Sequence, residues 1–218
     1  MKITIEQIKN NPSIKSYIKK ADESLIALGF TEHSFPHVTR VAAYAKKILL
    51  TLGYSEREAE LAEIAGYIHD IGNIINRIDH AQSGAVMAFR ILDKMDADPD
   101  DVATIITAIG NHDEGTAFPV NAVAAALILA DKTDVRASRV RNTDVASFDI
   151  HDRVNYAVKR SELVIAEGEI TLDLDIDITI SPVMDYFEIF LNRMLLCRKA
   201  AEKLNCRFAL NMNGQKMI

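Results

Sequence analysis

The sequence predicts a mainly α-helical protein, a helical bundle followed by a small strand–helix–strand unit at its C-terminal end. Apolar residues recur at three- and four-residue intervals through most of the first 165 residues, which is the pattern of a helix with one buried face. Residues 170–180 instead alternate strictly between apolar and polar side chains, as a half-buried β-strand does. We therefore expect an all-α domain over residues 1–165 and a small α/β unit over residues 166–218.

Helix boundaries in the first part of the chain follow from capping residues and glycines. Thr4 begins a short helix with a capping box, and Ser13 caps a second helix that Gly29 ends. A third helix begins at Ser34 and stops at Gly53. These signals predict three helices before the chain reaches its most informative stretch.

The next four predicted helices have histidine or aspartate at or near one of their ends. The first runs to a His69-Asp70 doublet, and the last is a nearly all-apolar, buried helix. These helices begin at Ser55, His80, Asp98 and Val120. Polar groups at helix termini can converge beyond one end of a bundle, so this half of the chain can build a shared site.

The C-terminal unit begins with the alternating strand. Pro182 opens a helix that Asn205 ends, and residues 206–212 form a second strand. Three aspartates share one face of the first strand: Asp173, Asp175 and Asp177. They lack the glycine turn of a calcium loop, so we expect them to keep a half-exposed strand soluble and unpaired.

Composition and charge argue against several classes of protein. Apolar residues make up 49% of the chain and charged residues 26%, as in an ordinary globular domain. The net charge of −6 disfavours a nucleic-acid-binding surface, which needs clustered lysine and arginine. No apolar run approaches the ~20 residues that span a bilayer, and the two cysteines, Cys197 and Cys206, predict no disulfide framework. We expect a cytoplasmic protein with no membrane partner.

Six side chains with metal-binding atoms are spread over the helical half. They come from different helices or turns and are His37, His69, Asp70, His80, His112 and Asp131. Imidazole nitrogen and carboxylate oxygen suit Fe, Mn, Co, Ni or Zn, whereas Mg is less natural beside so many imidazoles. A single buried histidine is more often a hydrogen-bonded core residue. Four histidines and two aspartates together favour a metal site, because buried groups of these types need partners.

The order of these residues resembles that of the HD superfamily of metal-dependent phosphohydrolases. The resemblance covers roughly residues 33–135 and is carried by His37-Val-Thr-Arg40-Val, Tyr67-Ile-His69-Asp70-Ile-Gly72-Asn73, His80, Asn111-His112 and Leu129-Ala-Asp131-Lys132. It implies an HD-domain bundle with one or two divalent ions, Fe or Mn being favoured and Co, Ni, Zn or Mg being alternatives. One ion would be held by His37, His69, Asp70 and Asp131. A second would share Asp70 and use His80 and His112, unless these two histidines only surround the first ion.

The resemblance also implies a reaction. A hydroxide held between two metals would attack phosphorus, with Asp70 as the bridging catalytic residue. We expect Lys132 and Arg40 to act as catalytic residues that contact the phosphate, with ordinary salt bridges as the alternative.

Further basic residues are expected to bind the substrate together with Lys132. Arg136 and Arg139 would share one helix face if the helix continued, although a solvated basic face is the simpler interpretation. His33 could reach the entrance of the site, and His151 is expected on the surface.

The expected function is hydrolysis of a phosphomonoester or phosphodiester of a nucleotide or related small molecule. The partner would be a small phosphorylated, nucleotide-like substrate, and a homodimer is also considered. His112 is followed by Asp113 rather than by a second histidine, which disfavours the cyclic-dinucleotide phosphodiesterases of the superfamily. Two alternatives stay open: an HD-type di-iron oxygenase, and a metal- or nucleotide-binding regulatory module.

Overall fold

Nine α-helices and one four-stranded sheet form the regular structure of the chain in a computed structural model that describes residues 1–218. The helices are α1 (Ile5–Asn10), α2 (Pro12–Ala27), α3 (Phe35–Thr51), α4 (Glu56–Ile68), α5 (His80–Lys94), α6 (Pro99–Gly110), α7 (Ala122–Lys132), α8 (Ile150–Ala157) and α9 (Val183–Lys203). The strands are β1 (Val158–Ala166), β2 (Glu169–Ile176), β3 (Arg207–Met212) and β4 (Gln215–Lys216). The predicted fold class is confirmed. None of the helices combines the length and the apolar character that crossing a bilayer requires.

The helix starts follow the predicted positions with two exceptions, α2 and α7. Helix α7 begins at Ala122 rather than at Val120, because the Asn121 side chain caps it by accepting from the Ala124 backbone N–H at 2.8 Å. The capping boxes at Thr4 and Ser55 both form. The cap of α2 is Asn11 rather than Ser13, because the Asn11 side chain accepts a hydrogen bond from the Ser13 backbone N–H at 2.9 Å. Pro12 is the first residue of this helix, where its fixed φ is favourable and its missing N–H is not needed.

Helices α3 and α4 pack so closely that one contact position requires glycine. A Cβ atom at Gly66 would lie 2.8 Å from the Cα atom of Ala42. Helix α7, buried throughout residues 123–130, packs against both helices. This arrangement places His37 of α3 beside His69 at the end of α4, with ring centroids 5.3 Å apart.

The doublet continues into a 3₁₀ turn, Ile71–Ile74, that touches the start of α5. A Cβ atom at Gly72 would lie 2.0 Å from the carbonyl oxygen of His80 and 2.5 Å from the backbone nitrogen of Gly84. Only glycine therefore allows α5 to begin against this turn, and that contact brings His80 next to Asp70.

The sheet has the strand order β1-β2-β3-β4. Strands β2 and β3 are parallel and connected through α9, while β1 and β4 join by antiparallel pairing. The predicted strand–helix–strand unit is present, but β2 stops at Ile176, short of residue 180. Strand β1 lies almost wholly in the segment that we expected to be all-α. It escaped prediction because its burial does not alternate, as expected of a strand at the edge of a sheet. The division into two domains stays a prediction.

The aspartates of β2, and Asp177 directly after it, have a different role from the one predicted. Asp173 and Asp175 pair with Arg160 of β1 at 3.1 and 2.8 Å, and Asp177 pairs with Lys159 at 2.8 Å. Strand β2 is hydrogen bonded on both sides, so the prediction that these aspartates keep it unpaired is wrong. They stabilise the β1–β2 hairpin through cross-strand charge pairs instead.

Candidate metal centre

The six side chains with metal-binding atoms converge in one buried cluster. Each lies at or near a helix terminus, in the order α3 for His37, the end of α4 for His69 and Asp70, the first residue of α5 for His80, the end of α6 for His112, and the last turn of α7 for Asp131. All four histidines are at most 1% exposed. Helix packing alone therefore gathers donor atoms from five different helices.

Asp70 lies at the middle of the cluster, and its two oxygens face different pairs of histidines. Oδ2 lies 3.4 Å from Nε2 of His69 and 3.7 Å from Nε2 of His37. Oδ1 lies 3.5 Å from Nε2 of His80 and 3.8 Å from Nε2 of His112. The donor atoms thus divide into two groups that share a single carboxylate.

Asp131 belongs to the first of these groups. Its Oδ1 lies 3.4 Å from Nε2 of His37 and 3.7 Å from Nε2 of His69. Its other oxygen lies 2.7 Å from Nζ of Lys132. One oxygen of Asp131 is therefore available to a metal, and the other is held by an ammonium group.

Each of the four histidines uses Nδ1 for a hydrogen bond within the protein. The acceptors are Asp134 Oδ2 for His37 (2.8 Å) and the backbone carbonyl oxygens of Gly66 for His69 (2.9 Å), Arg77 for His80 (3.0 Å) and Ile109 for His112 (2.6 Å). Because these oxygens only accept, Nδ1 carries the proton and donates it. In the neutral ring Nε2 then keeps a lone pair directed into the cluster, as a metal ligand must.

The cluster fits a divalent metal because four of its inward atoms have no other partner. Nε2 of His37, His69 and His112 and Oδ2 of Asp70 are buried without any hydrogen bond. Leaving such groups unpaired costs about 1–3 kcal/mol each, more for a charged one. A cation in the cluster would satisfy all four atoms, and the donor set of imidazoles and carboxylates can hold divalent metals.

The electrostatics of the cluster favour positive charge. Burial would raise the pKa of Asp70 and Asp131, but His69 and Lys132 hold the two pKa values well below the usual range. Burial would lower the pKa of His69, yet Asp70 and Asp131 raise it to about 10. A proton on Nε2 of His69 competes with a metal for the same lone pair, so metal binding would release that proton. Burial lowers the pKa of His80 to about 4, which keeps it neutral.

A cavity of about 300 Å³ opens beside the cluster and reaches Asp70, His80 and Asp131. Three predicted substrate residues also line it, namely His33, Lys132 and Arg139. Its wall is mostly charged or polar. The cavity therefore suits a small, charged ligand.

Each of these three residues is held in place by its neighbours. Lys132 Nζ lies between Asp131 and Glu114, 3.5 Å from Glu114 Oε2. Nδ1 of His33 is hydrogen bonded to the carbonyl oxygen of Thr31 at 2.7 Å. Arg139 donates from Nε to the carbonyl oxygen of Glu32 at 2.9 Å. These contacts fix the positions of the side chains relative to the cavity.

Two predicted residues do not line the cavity. Arg40 points to Asp134, with Nε 3.0 Å from Oδ1, and donates from Nη2 to the Ser161 carbonyl of β1 at 2.7 Å. Arg136 also donates to Asp134, at 2.9 Å. Helix α7 ends at Lys132, so Arg136 and Arg139 do not share a helix face as predicted.

Asp134 is a buried residue that sequence reasoning missed. Its side chain is 0% exposed, and it accepts from Nδ1 of His37 while lying against the guanidinium groups of Arg40, Arg136 and Arg139. Burial would raise its pKa, but His37 and the arginines hold it well below the usual range. The only signal in the sequence was an aspartate three residues after Asp131 and next to several arginines.

The C-terminal unit contributes to the cavity through α9, which sequence reasoning also missed. Phe190 and Arg193 line the cavity wall, and Arg193 contacts Glu114, the residue that holds Lys132. Arg77, which precedes α5, lines the cavity near His80, and the exposed His151 also lines it. No periodic pattern marks these positions, because they meet the cluster only through tertiary packing.

Similarity to known proteins identifies the family of the chain. An uncharacterized protein of Methanocaldococcus jannaschii, MJ1020, is 24% identical over 211 residues, covering 86% of this chain and 80% of its own length. The crystal structure of a predicted HD superfamily hydrolase from an uncultured Thermotogales bacterium aligns with a TM-score of 0.43 at 24% identity, covering 61% of this chain and 74% of that one. The HD domain family model matches residues 35–153, which include all six clustered side chains. The chain therefore belongs to the HD domain family.

Proposed function

We propose that the protein is a metal-dependent phosphohydrolase that cleaves a phosphomonoester or phosphodiester of a nucleotide or related small molecule. The observation that carries this proposal is the position of Asp70, whose two oxygens face two separate pairs of histidine Nε2 atoms. A single metal would leave one of these pairs unused. The arrangement supports a centre for two divalent ions, with Fe or Mn favoured.

Each proposed ion has its own set of side chains. His37, His69 and Asp131 would hold one ion together with Asp70 Oδ2, and His80 and His112 would hold the other together with Asp70 Oδ1. When bound, two such ions lower the pKa of water and neutralise negative charge on a phosphoryl group. The Nδ1 hydrogen bonds orient the four imidazoles so that each Nε2 faces the cluster, and His69 would release its Nε2 proton when the ion binds.

The cavity supports a phosphorylated ligand. Lys132 is 5% exposed, is held at 2.7 Å from the ligand residue Asp131, and lines the cavity beside Arg139 and Arg193. Asp131 and Glu114 raise the pKa of Lys132 against the effect of burial, so its ammonium group stays charged. A charged ammonium beside the metal ligands suits a phosphate oxygen, and the neighbouring polar wall suits the sugar or base of a small nucleotide.

The proposal is tested by loading the metal-free protein with Fe or Mn and measuring phosphate release from a panel of phosphomonoesters and phosphodiesters. The Asp70→Asn variant is the matched control, because it keeps the size of the side chain and removes the shared carboxylate. We expect metal-dependent release by the wild type and none by the variant. Oxygen consumption by the iron-loaded protein, without hydrolysis of any phosphate ester, would contradict the proposal and support an oxygenase.

A further inference from the structure

One arginine in the cavity lacks a carboxylate partner. Four arginine and lysine side chains line the cavity: Arg77, Lys132, Arg139 and Arg193. Three of them have a carboxylate within 4.0 Å, and the pairs are Lys132 with Asp131, Arg139 with Asp134, and Arg193 with Glu114. Arg77 forms no such pair with any residue of the chain. A partly buried guanidinium without a counter-charge has the charge and the donors to bind an anion.

Arg77 is nonetheless held in a defined position. Its Nη1 lies 3.3 Å from Oδ1 of Asn73, and its guanidinium carbon lies 5.3 Å from the ring centroid of Phe30. Asn73 in turn donates from Nδ2 to Oδ1 of Asp70 at 3.0 Å. A chain of two hydrogen bonds therefore connects Arg77 to the central carboxylate of the metal cluster.

The contacts of Arg77 leave most of its donors free. Nη1 meets Asn73 and lies 3.4 Å from Nε2 of His80. A guanidinium has five N–H donors, and those on Nε and Nη2 have no partner within the chain. These donors form the planar fork that binds two oxygens of a phosphate. The guanidinium of Arg77 therefore lies beside the His80 end of the cluster with its Nε and Nη2 donors unpaired.

We propose that Arg77 binds the phosphate group of the substrate from the His80 side, while Lys132 contacts it from the Asp131 side. This inference rests on the proposed function for the choice of ligand and adds a specific anchor to it. It requires a tetrahedral oxyanion with at least two oxygens free to accept hydrogen bonds. Phosphomonoesters, phosphodiesters and inorganic phosphate all meet this requirement, and neutral ligands do not.

The test is a calorimetric titration of inorganic phosphate into Mn-loaded protein, with the metal content of each sample measured in parallel. Wild type is compared with Arg77→Ala, Arg77→Met and Arg77→Lys. The Met variant keeps an apolar stem against Phe30 and removes the charge, and the Lys variant keeps the charge and removes the fork. The matched control is Arg90→Ala, which removes an exposed arginine of α5 outside the cavity.

We expect both neutral variants to bind phosphate about 10- to 100-fold more weakly than wild type, with Arg77→Lys in between. Metal content stays unchanged in all variants, because the backbone carbonyl of residue 77, which orients His80 through Nδ1, is kept in each of them. Arg90→Ala binds as wild type does. The inference is overturned if wild type binds no phosphate, if the Met variant binds as tightly as wild type, or if the Ala and Met variants lose metal.

The failure of this inference and that of the proposed function give different results. Wild-type protein that hydrolyses phosphate esters while its Arg77 variants keep full phosphate affinity would refute the role of Arg77 alone. Wild-type protein that binds phosphate through Arg77 yet hydrolyses no ester would refute the proposed function alone.

Discussion

Replacing Asp134 with asparagine is the most informative perturbation outside the proposed metal ligands themselves. The carboxylate is fully buried, accepts from Nδ1 of His37 at 2.8 Å, and lies 3.0 and 2.9 Å from Nε of Arg40 and Arg136. The asparagine side chain has the same size but no charge, and its NH₂ group would replace one of the two acceptor oxygens that His37 and the arginines use. The substitution therefore removes the counter-charge of the arginines and weakens the contacts that orient His37.

Two magnitudes follow from these contacts. Removing one partner of a buried charge network costs about 3–5 kcal/mol in the free energy of unfolding. Removing the group that orients a metal-binding histidine lowers metal affinity about 10- to 100-fold, which corresponds to about 1.4–2.7 kcal/mol. We therefore expect Asp134→Asn to unfold at lower denaturant concentration and to bind Mn or Fe more weakly, although it deletes no ligand.

The assay is a metal titration followed by calorimetry, together with urea unfolding of the metal-free protein. Asp101→Asn is the matched control, because Asp101 pairs with Arg57 at the opposite part of the bundle and contacts no metal ligand. The control should lose stability and keep its metal affinity. Unchanged metal affinity in Asp134→Asn would refute the reasoning, because it would show that His37 does not depend on Asp134.

Three further predictions concern metal removal, pH and the C-terminal helix. The free energy of unfolding should be about 2.7 kcal/mol lower after chelation than in the presence of metal at 100 times the Kd for that metal. Calorimetry should show this difference as a fall in Tm of roughly 5–10 °C. Burial would raise the pKa of Glu114, but Lys132 and Arg193 lower it from 4.5 to about 2. Its contribution to stability, about 3 kcal/mol at most, is therefore present above pH 4.5 and lost as the pH falls towards 2. In the Glu114→Gln variant, acid unfolding monitored by circular dichroism should not show this loss of stability between pH 4.5 and 2. Arg193→Ala should lower kcat/KM about 10- to 100-fold with full metal content, because Glu114 then no longer positions Lys132.

Each of these expectations has a result that contradicts it. An unchanged Tm after complete chelation would show that the buried Nε2 atoms need no cation. An equally steep loss of stability between pH 4.5 and 2 in Glu114→Gln would assign that loss to other carboxyl groups. Arg198→Ala, an exposed arginine of the same helix, is the control for Arg193→Ala. Equal activity of the two variants would exclude a specific role for Arg193.

The sequence was sufficient to identify the six side chains that cluster, because their order along the chain is informative by itself. Each histidine of the cluster lies near the start or the end of a helix whose apolar face can be recognised from the sequence. The packing of these helices then brings the four side chains together: His37, His69, His80 and His112. The close approaches at Gly66 and Gly72 are part of this packing. Neither could be predicted, since a glycine inside a helix or turn has several common explanations.

The surroundings of the cluster were predicted less well, for a physical reason. Arg40 and Arg136 were expected at the substrate, yet both lie against Asp134 because a buried carboxylate attracts nearby guanidinium groups more strongly than an open cavity does. Arg77 and Arg193 reach the cavity from a loop and from a distant helix. Such contacts depend on long-range packing, which short-range patterns do not encode. Strand β1 was missed for a related reason, since an edge strand need not alternate.

The metal content of the purified protein, measured by elemental analysis for wild type and for Asp70→Ala, tests the proposed binuclear centre. With two groups of histidines sharing one carboxylate, we expect about two equivalents of Fe or Mn per wild-type chain and a loss of both in the variant. Wild-type protein that binds no metal after reconstitution, or an Asp70→Ala variant that keeps the full metal content, would contradict it.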